Sequence, residues 1–253
     1  MPYKVLDLSN HNGAIDFAKV KASGIWGVIL RAGYTGYGAS HTRNKDARFE
    51  TYYAAAQKAG LHVGAYYYSG AMTEAFAVDE ANYFLSLLKG KQFDLPVYMD
   101  VEETHSPTNM PSLGKAKLTA IVKKWCETCE NAGYFTGFYT AKSWAQSYLD
   151  MSVLNRFTFW LAHWVTQTNY NGPYAVWQYS ATGKVSGIGG DVDMDYCYTD
   201  FPPMIQSLGM NGYKKESDKR YTVTVTGLNK ANADKAAAAL KAAGFTATVK
   251  EVG

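Results

Sequence analysis

Leu95-Pro96-Val97-Tyr98-Met99-Asp100-Val101-Glu102 is an apolar, β-prone run that ends in two carboxylates at positions i and i+2. Side chains on a strand alternate faces, so Asp100 and Glu102 project to one side with Cα atoms about 6.5 Å apart. Two acids at the end of a buried parallel strand repel each other and lose hydration, which raises the pKa of one of them. A protonated and an ionised carboxyl group side by side can carry out acid catalysis on a glycosidic bond. The same pair could merely cap a strand or hold a cation, so the surrounding elements decide.

Outward from this run, strand-like and helical patterns alternate. Val5–Ser9 is followed by a helix from the N-cap Asp16 to Gly24, and Trp26–Arg31 by one from Lys45 to Gly60. His62–Ser69 is followed by a helix from Thr73 through Leu88 to Gly90. Beyond Asp94–Glu102 the spacing predicts a helix over Ser112–Asn131, closed by Gly133, and then the strand Phe135–Thr140. This is the pattern of parallel βα units. After residue 150 the strands Phe157–His163, Tyr174–Tyr179 and Asp193–Tyr198 have only loops between them. The expected fold class is therefore α/β, an irregular (β/α)8-type barrel with a strand-rich C-terminal third. In such barrels chemistry collects at C-terminal strand ends. Asp7, Arg31, Tyr67–Ser69, Asp100, Glu102, Tyr139, His163 and Trp164 occupy such ends, whereas Asp193 stands at the start of its run.

The stretch Gly209–Lys219 is polar and glycine-bearing and reads as a linker. After it come a strand at Tyr221–Thr226, an Ala-rich helix at Asn229–Gly244 and a strand at Thr246–Val252. The expected organisation is a catalytic barrel over 1–205, a linker over 206–219 and a small α+β (βαβ) domain over 220–253. So short a unit buries too little surface to stand alone, which points to docking or to homo-oligomers through its edges.

A hydrophobic content of 47% with 19% charged residues describes a folded chain. The net charge of +3 is too small to suggest nucleic acid as a partner. From Asn211 onward eight Lys or Arg face four Asp or Glu, a net of +4, so the rest sums to −1. That basic tail could meet anionic polymers. Cys126 and Cys129 form a CxxC inside a helical pattern, where buried small hydrophobes are the expected role, and Cys197 stands alone. His11, His41, His62, His105 and His163 show no metal-ligand spacing, so no metal and no cofactor are expected. No apolar run reaches the ~20 residues needed to span a bilayer. No signal peptide is expected, which implies cytoplasmic synthesis and release by another route.

With these elements placed, the chain resembles the glycoside hydrolase family 25 lysozymes, the Chalaropsis-type muramidases common among bacteriophage endolysins. The resemblance rests on Asp7-Leu-Ser-Asn-His-Asn-Gly-Ala-Ile-Asp16, Val28–Gly33, Gly60–Ser69, Pro96–Glu102, Gly137–Thr140, Trp160–Trp164, Trp177–Ser180 and Val192–Asp195, eight motifs in order. It implies cleavage of the β-1,4 bond between N-acetylmuramic acid and N-acetylglucosamine in peptidoglycan, on a bacterial wall reached after holin-type release. By motif, Glu102 is the general acid and Asp100 orients and charge-stabilises the substrate. Asp7 and Asp193 flank the site, although the family often has Asn where this chain has Asp195. Arg31, Tyr67, Tyr139, Trp160, Trp164 and Gln178 are the expected substrate-binding residues; Tyr67 is chosen among Tyr66–Tyr68 because it shares parity with Ser69.

Carboxylates two apart on one strand lie on one side of a sugar, whereas a conventional base or nucleophile attacks from the face opposite the leaving group. The substrate's own 2-acetamido group is then the favoured nucleophile, with Asp100 polarising its N–H. The rivals are a chitin-type DxE glycosidase, a bacterial autolysin, and a wall-binding lectin that keeps the barrel. A lectin has no need of four carboxylates at Asp7, Asp100, Glu102 and Asp193.

Overall fold

The computed structural model describes residues 1–36, 41–102, 109–215, 226–243 and 246–250. Among them nine strands form one sheet: β1 (Tyr3–Leu8), β2 (Gly27–Thr35), β3 (Arg43–Lys45), β4 (His62–Tyr68), β5 (Val97–Asp100), β6 (Thr136–Ala141), β7 (Thr158–Ala162), β8 (Val176–Gly183) and β9 (Val192–Cys197). Their order is β1-β9-β8-β7-β6-β5-β4-β2, and β2 pairs again with β1, so eight strands close into a barrel. β3 hangs on β2 as an antiparallel spur. Barrel neighbours run parallel except at β9, which is antiparallel to both β8 and β1. That reversal brings the N-terminal end of β9 to the mouth formed by the C-terminal ends of the others. Asp193 consequently lies opposite Asp7 in the β1–β9 ladder.

Helices α1 (Phe17–Ala22), α2 (Phe49–Lys58), α3 (Glu74–Leu88) and α4 (Lys115–Asn131) are the crossovers of the first part. Their signals act as expected: the Asp16 carboxylate accepts from Lys19 N at 3.1 Å and the Thr73 hydroxyl from Phe76 N at 3.1 Å. Gly60 (φ 72°) and Gly133 (φ 86°) follow helix ends in a conformation that a side chain would disfavour. Two starts come later than expected. Residues 43–45 pair with β2 before α2 begins, and a 3₁₀ turn at Met110–Leu113 precedes α4. Two further short helices, α5 (Lys142–Ser147) and α6 (Met151–Leu154), connect β6 to β7.

Strand alternation divides the apolar residues into two layers. Leu30, Val63, Met99, Phe138 and Leu161 face the helices and pack with Phe84 of α3 and Trp125 of α4. Val5, Ile29, Tyr98, Trp160 and Val176 fill the barrel interior. Phe201 and Ile205 of α7 (Phe201–Leu208) belong to this inner cluster, and Phe201 packs edge-on against Phe135, just before β6.

The segment expected as a linker is in fact a bolt across the barrel base. Asn211 is fully buried at φ 55°. Its side-chain oxygen accepts from Phe135 N at 2.7 Å, and its amide donates to Phe93 O at 3.2 Å and Leu95 O at 2.9 Å. Its backbone donates to Gly133 O and accepts from Phe93 N. The Tyr213 hydroxyl donates to Asp94 Oδ1 at 2.7 Å. The compact barrel unit therefore extends to Ser217, not to residue 205. Polar, glycine-bearing composition is the same whether such a segment is solvated or docked.

The second unit, Asp218–Gly253, contains α8 (Lys230–Ala242), capped by the Asn229 side chain accepting from Asn232 N at 3.0 Å. The strand expected at Tyr221–Thr226 lies outside the described residues except for Thr226, whereas residues 246–250 of the strand expected at Thr246–Val252 are described and form no strand.

Removing the Asn211 side chain leaves Phe135 N, Phe93 O and Leu95 O without their partner, at about 1–3 kcal/mol per buried group. Asn211→Ala is therefore expected to destabilise the barrel by about 3–5 kcal/mol. Truncation after Ser217 is expected to leave a cooperatively unfolding barrel, and truncation after Pro203 to abolish it. Urea titrations of the three proteins check this; a Pro203 truncation as stable as the full chain would refute the bolt.

Candidate active site

The mouth opens on a cavity of about 520 Å³. Register explains which side chains reach it. Tyr68, Asp100 and Tyr139 are Cα partners across β4, β5 and β6, and therefore share a face. β5 ends at Asp100, but its continuation is clamped from both sides. Ser69 N donates to Asp100 O at 3.0 Å, Val101 N to Tyr139 O at 2.9 Å, and the Thr140 hydroxyl to Val101 O at 2.6 Å. The alternation carries on, and Glu102 lines the cavity together with Asp7, Asp100 and Asp193.

Four carboxyl groups in one water-poor chamber cannot all ionise. Burial, then the charges of Asp193 and Asp195, pushes Asp7 well above the usual carboxylate range. Burial, then Glu102 and Asp7, does the same to Asp100. Burial followed by Asp193 lifts Glu102 to about 7, and burial lifts Asp193 to about 6. Arg31 pulls the other way on Asp100. The cluster titrates as a unit, and at neutral pH it retains protons that isolated carboxylates would have lost.

Gln178 organises the floor. Its Nε2 donates to Asp7 Oδ2 at 3.3 Å, and its Oε1 accepts from the Tyr139 hydroxyl and from the Trp164 indole N–H, each at 2.9 Å. One amide thus orients an acid, a phenol and an exposed indole. Arg31, expected among the substrate-binding residues, has its direct ion pair with the buried Asp46, Nε to Oδ2 at 2.8 Å, and its Nη2 donates to Asn10. Asp46 also accepts from Asn10 N and Arg48 N, so the guanidinium is fixed at the chamber wall.

Eight of the ten expected site residues line the chamber: Asp7, Arg31, Asp100, Glu102, Tyr139, Trp164, Gln178 and Asp193. Two do not. Tyr67 points to the opposite face of β4, where its hydroxyl lies 3.1 Å from Thr35 Oγ1 and its ring packs on Phe84. The parity shared with Ser69 is real, but Ser69 also faces outward and donates to Glu80. Trp160 lies in the barrel interior, with ring contacts to Tyr66, Tyr98 and Tyr139 and its N–H donated to Asp195 at 2.7 Å. It supports the site residue Tyr139 rather than touching the cavity. Asp195 is fully buried beneath Trp160, which leaves Asp193 as the acid of β9 at the cavity.

Tyr66, Tyr68, Ser9, His11, Asn12 and Asp191 also line the chamber, though none of them was among the expected substrate-binding residues. The Tyr66 phenol favours the charged form of Asp7. Its parity follows once β4 is registered on β5, Tyr66 with Tyr98 and Tyr68 with Asp100. Ser9, His11 and Asn12 belong to a 3₁₀ turn directly after β1, closed by Ser9 N donating to Asn12 Oδ1 at 2.9 Å. Among the described residues no group of three or more His, Cys, Asp or Glu is arranged to hold a metal ion. Cys126 and Cys129 are wholly buried on α4. No helix among the described residues is long and apolar enough to cross a membrane.

Residues 6–188 match the sequence model of the family described as glycosyl hydrolases family 25. The autolytic lysozyme of Clostridium acetobutylicum is 29% identical over 195 residues, covering 76% of this chain and 55% of that protein. Lysozyme M1 of Streptomyces globisporus is 30% identical over 205 residues, covering 74% of this chain and 65% of that one. The chain thus spans between half and two-thirds of the length of these curated relatives. Among solved structures, the CTP1L endolysin superposes with a TM-score of 0.68 at 25% identity, covering 81% of this chain and 70% of that chain.

The raised carboxyls make a stability prediction. Glu102 moves from 4.5 to about 7 on folding, so its contribution is complete below about pH 4.5 and is lost as pH rises through 7. Asp193, moving from 3.8 to about 6, behaves likewise over a lower window. Glu102→Gln is therefore expected to melt higher than the wild type at pH 8 and at the same temperature at pH 4. Thermal melts at both values check this; equal differences at the two would contradict a raised Glu102.

Proposed function

Because the chain belongs to glycosyl hydrolase family 25, we propose that it is a peptidoglycan hydrolase. In this reading it is an N-acetylmuramidase that cleaves the β-1,4 bond between N-acetylmuramic acid and N-acetylglucosamine. The observation that supports this most is the convergence of Asp7, Asp100, Glu102 and Asp193 on one chamber, with Glu102 held at about 7. A carboxyl titrating there still carries a proton for a leaving group near neutrality.

In the proposed sequence Glu102 gives its proton to the glycosidic oxygen as the C1–O bond breaks. The carbonyl oxygen of the 2-acetamido group closes on C1, while Asp100 accepts the hydrogen bond of its N–H and balances the charge of the oxazolinium ring. Glu102, now ionised, takes a proton from water, which opens the ring at C1 with net retention. Asp100 and Glu102 both come from the end of β5, which suits a nucleophile supplied by the substrate. A proton held on Asp7 lets Asp100 ionise without a fourfold accumulation of charge.

We read the biological role as lysis of a bacterial host by a phage-borne enzyme, in keeping with the likeness to an endolysin. A bacterial autolysin is the second reading, favoured by the autolytic relative. The basic residues beyond Asn211 would hold the enzyme on anionic wall polymers or join two copies.

Glu102→Gln is expected to lower wall lysis by about 10²–10⁴-fold with wall binding intact, and wild-type activity to decline above about pH 7 as Glu102 loses its proton. Asp100→Asn is expected to reduce kcat far more than it changes KM. Digests analysed for new reducing ends decide the bond: ends on muramic acid support the muramidase, and ends on glucosamine overturn it. For the tail, wall retention of the full chain is expected to exceed that of the Ser217 truncation and to fall steeply with salt. Equal retention of both, and equal mass in light scattering, would remove either role.

A further inference from the structure

The chamber is the middle of a longer groove. A second cavity of about 430 Å³ shares Glu102, Tyr139 and Trp164 with it and continues to Lys142, Gln146 and His163. A third, sharing His11, Arg31 and Tyr68, continues in another direction toward Tyr34 and Asn44. Of the four acids, only Glu102 borders the second cavity; Asp7, Asp100 and Asp193 line the chamber alone. On the muramidase reading, the ring that becomes an oxazolinium must lie against Asp100. The leaving oxygen must lie against Glu102. The departing part of the glycan therefore passes Glu102 into the second cavity. The exposed Trp164 ring, held by its bond to Gln178, forms the partition between the two spaces.

The charge in that lobe is unlike that of the chamber. Lys142 contributes a cation, and among the described residues its ammonium has the neutral Asn169 Oδ1 as hydrogen-bond partner, with no carboxylate ion pair. Arg31, on the other side, is already neutralised by Asp46. Burial and the nearby Lys142 charge disfavour a proton on His163. The departing chain begins with a neutral N-acetylglucosamine, and its first carboxylate is borne by the muramyl residue beyond it. We propose that Lys142 binds a carboxylate borne by the departing glycan, so that it selects anionic, muramyl-type chains over neutral ones. The inference rests on the muramidase reading and adds a specificity residue to it.

The carboxylate could belong to the stem peptide or, where the stem has been removed, to the lactyl ether itself. The test uses the full chain with Lys142→Ala and Lys142→Arg on three soluble glycans. These are peptide-bearing strands, amidase-stripped strands with free lactyl groups, and stripped strands whose carboxylates have been converted to methylamides. Lys142→Ala is expected to lose about three- to tenfold in kcat/KM on a charged strand, through KM, as suits a partly exposed charge-assisted bond. It should lose nothing on the methylamide, and Lys142→Arg should retain most of the activity. Loss on the peptide-bearing strand alone assigns the stem carboxylate; loss on the free-lactyl strand alone assigns the lactyl group. Equal losses on charged and neutralised strands, or none on any, would overturn the proposal while leaving the muramidase reading standing. Failure of the wild type to cut any strand would remove both.

Discussion

Mutual repulsion among carboxylates that a rigid barrel holds together is the constraint on which the rest of the mouth depends. Asp7, Asp100 and Asp193 are held in the ladders of β1, β5 and β9, and Glu102 follows directly on β5. Each is destabilised in its charged form by burial, and most also by another member of the set. The site therefore stores protons at a pH where separate acids would have released them. A softer scaffold would let the acids turn toward solvent, and the property would vanish.

The surrounding polar groups distribute this tension rather than remove it. Gln178 gives Asp7 a hydrogen but no charge, so it orients the acid without fully ionising it. Arg31 is committed to Asp46 and acts on Asp100 only at a distance. A direct ion pair with Asp100 would have pinned that group in its charged form and left it less responsive to a substrate. Trp160 and Asp195 form a deeper layer, in which the indole supports Tyr139 from beneath.

Much of this was legible from local pattern, since strand alternation, helix caps and glycine stops are properties of short windows. The pairing of Asp100 with Glu102 and the placing of Asp7 needed nothing more. Asp193 was legible as an acid but not as to why the start of a strand should carry chemistry; that needed β9 to be antiparallel, which no window reveals. Tyr67 shows the same limit. Parity within β4 can be counted, but which parity faces inward is set by register on β5. Trp160 has the inward parity but lies one layer too deep, a matter of how far along the barrel axis each strand is shifted. Asp46 and Asn211 escaped because a solvated polar residue and a buried one with four partners look alike in sequence.

The bolt at Asn211 also governs when the molecule can exist at all. β1 is completed only when β9 pairs with it, and the starts of β5 and β6 are secured only when residue 211 arrives. The first two-thirds of the chain holds the parallel ladders from β1 to β7 but cannot close the barrel by itself. Such long-range closure makes folding slow relative to chains of local contacts. The chamber shares that delay, because Asp193 is among the last of its residues to be made. A chain that stops before residue 211 thus has neither a secured barrel base nor, if it ends before β9, a complete chamber.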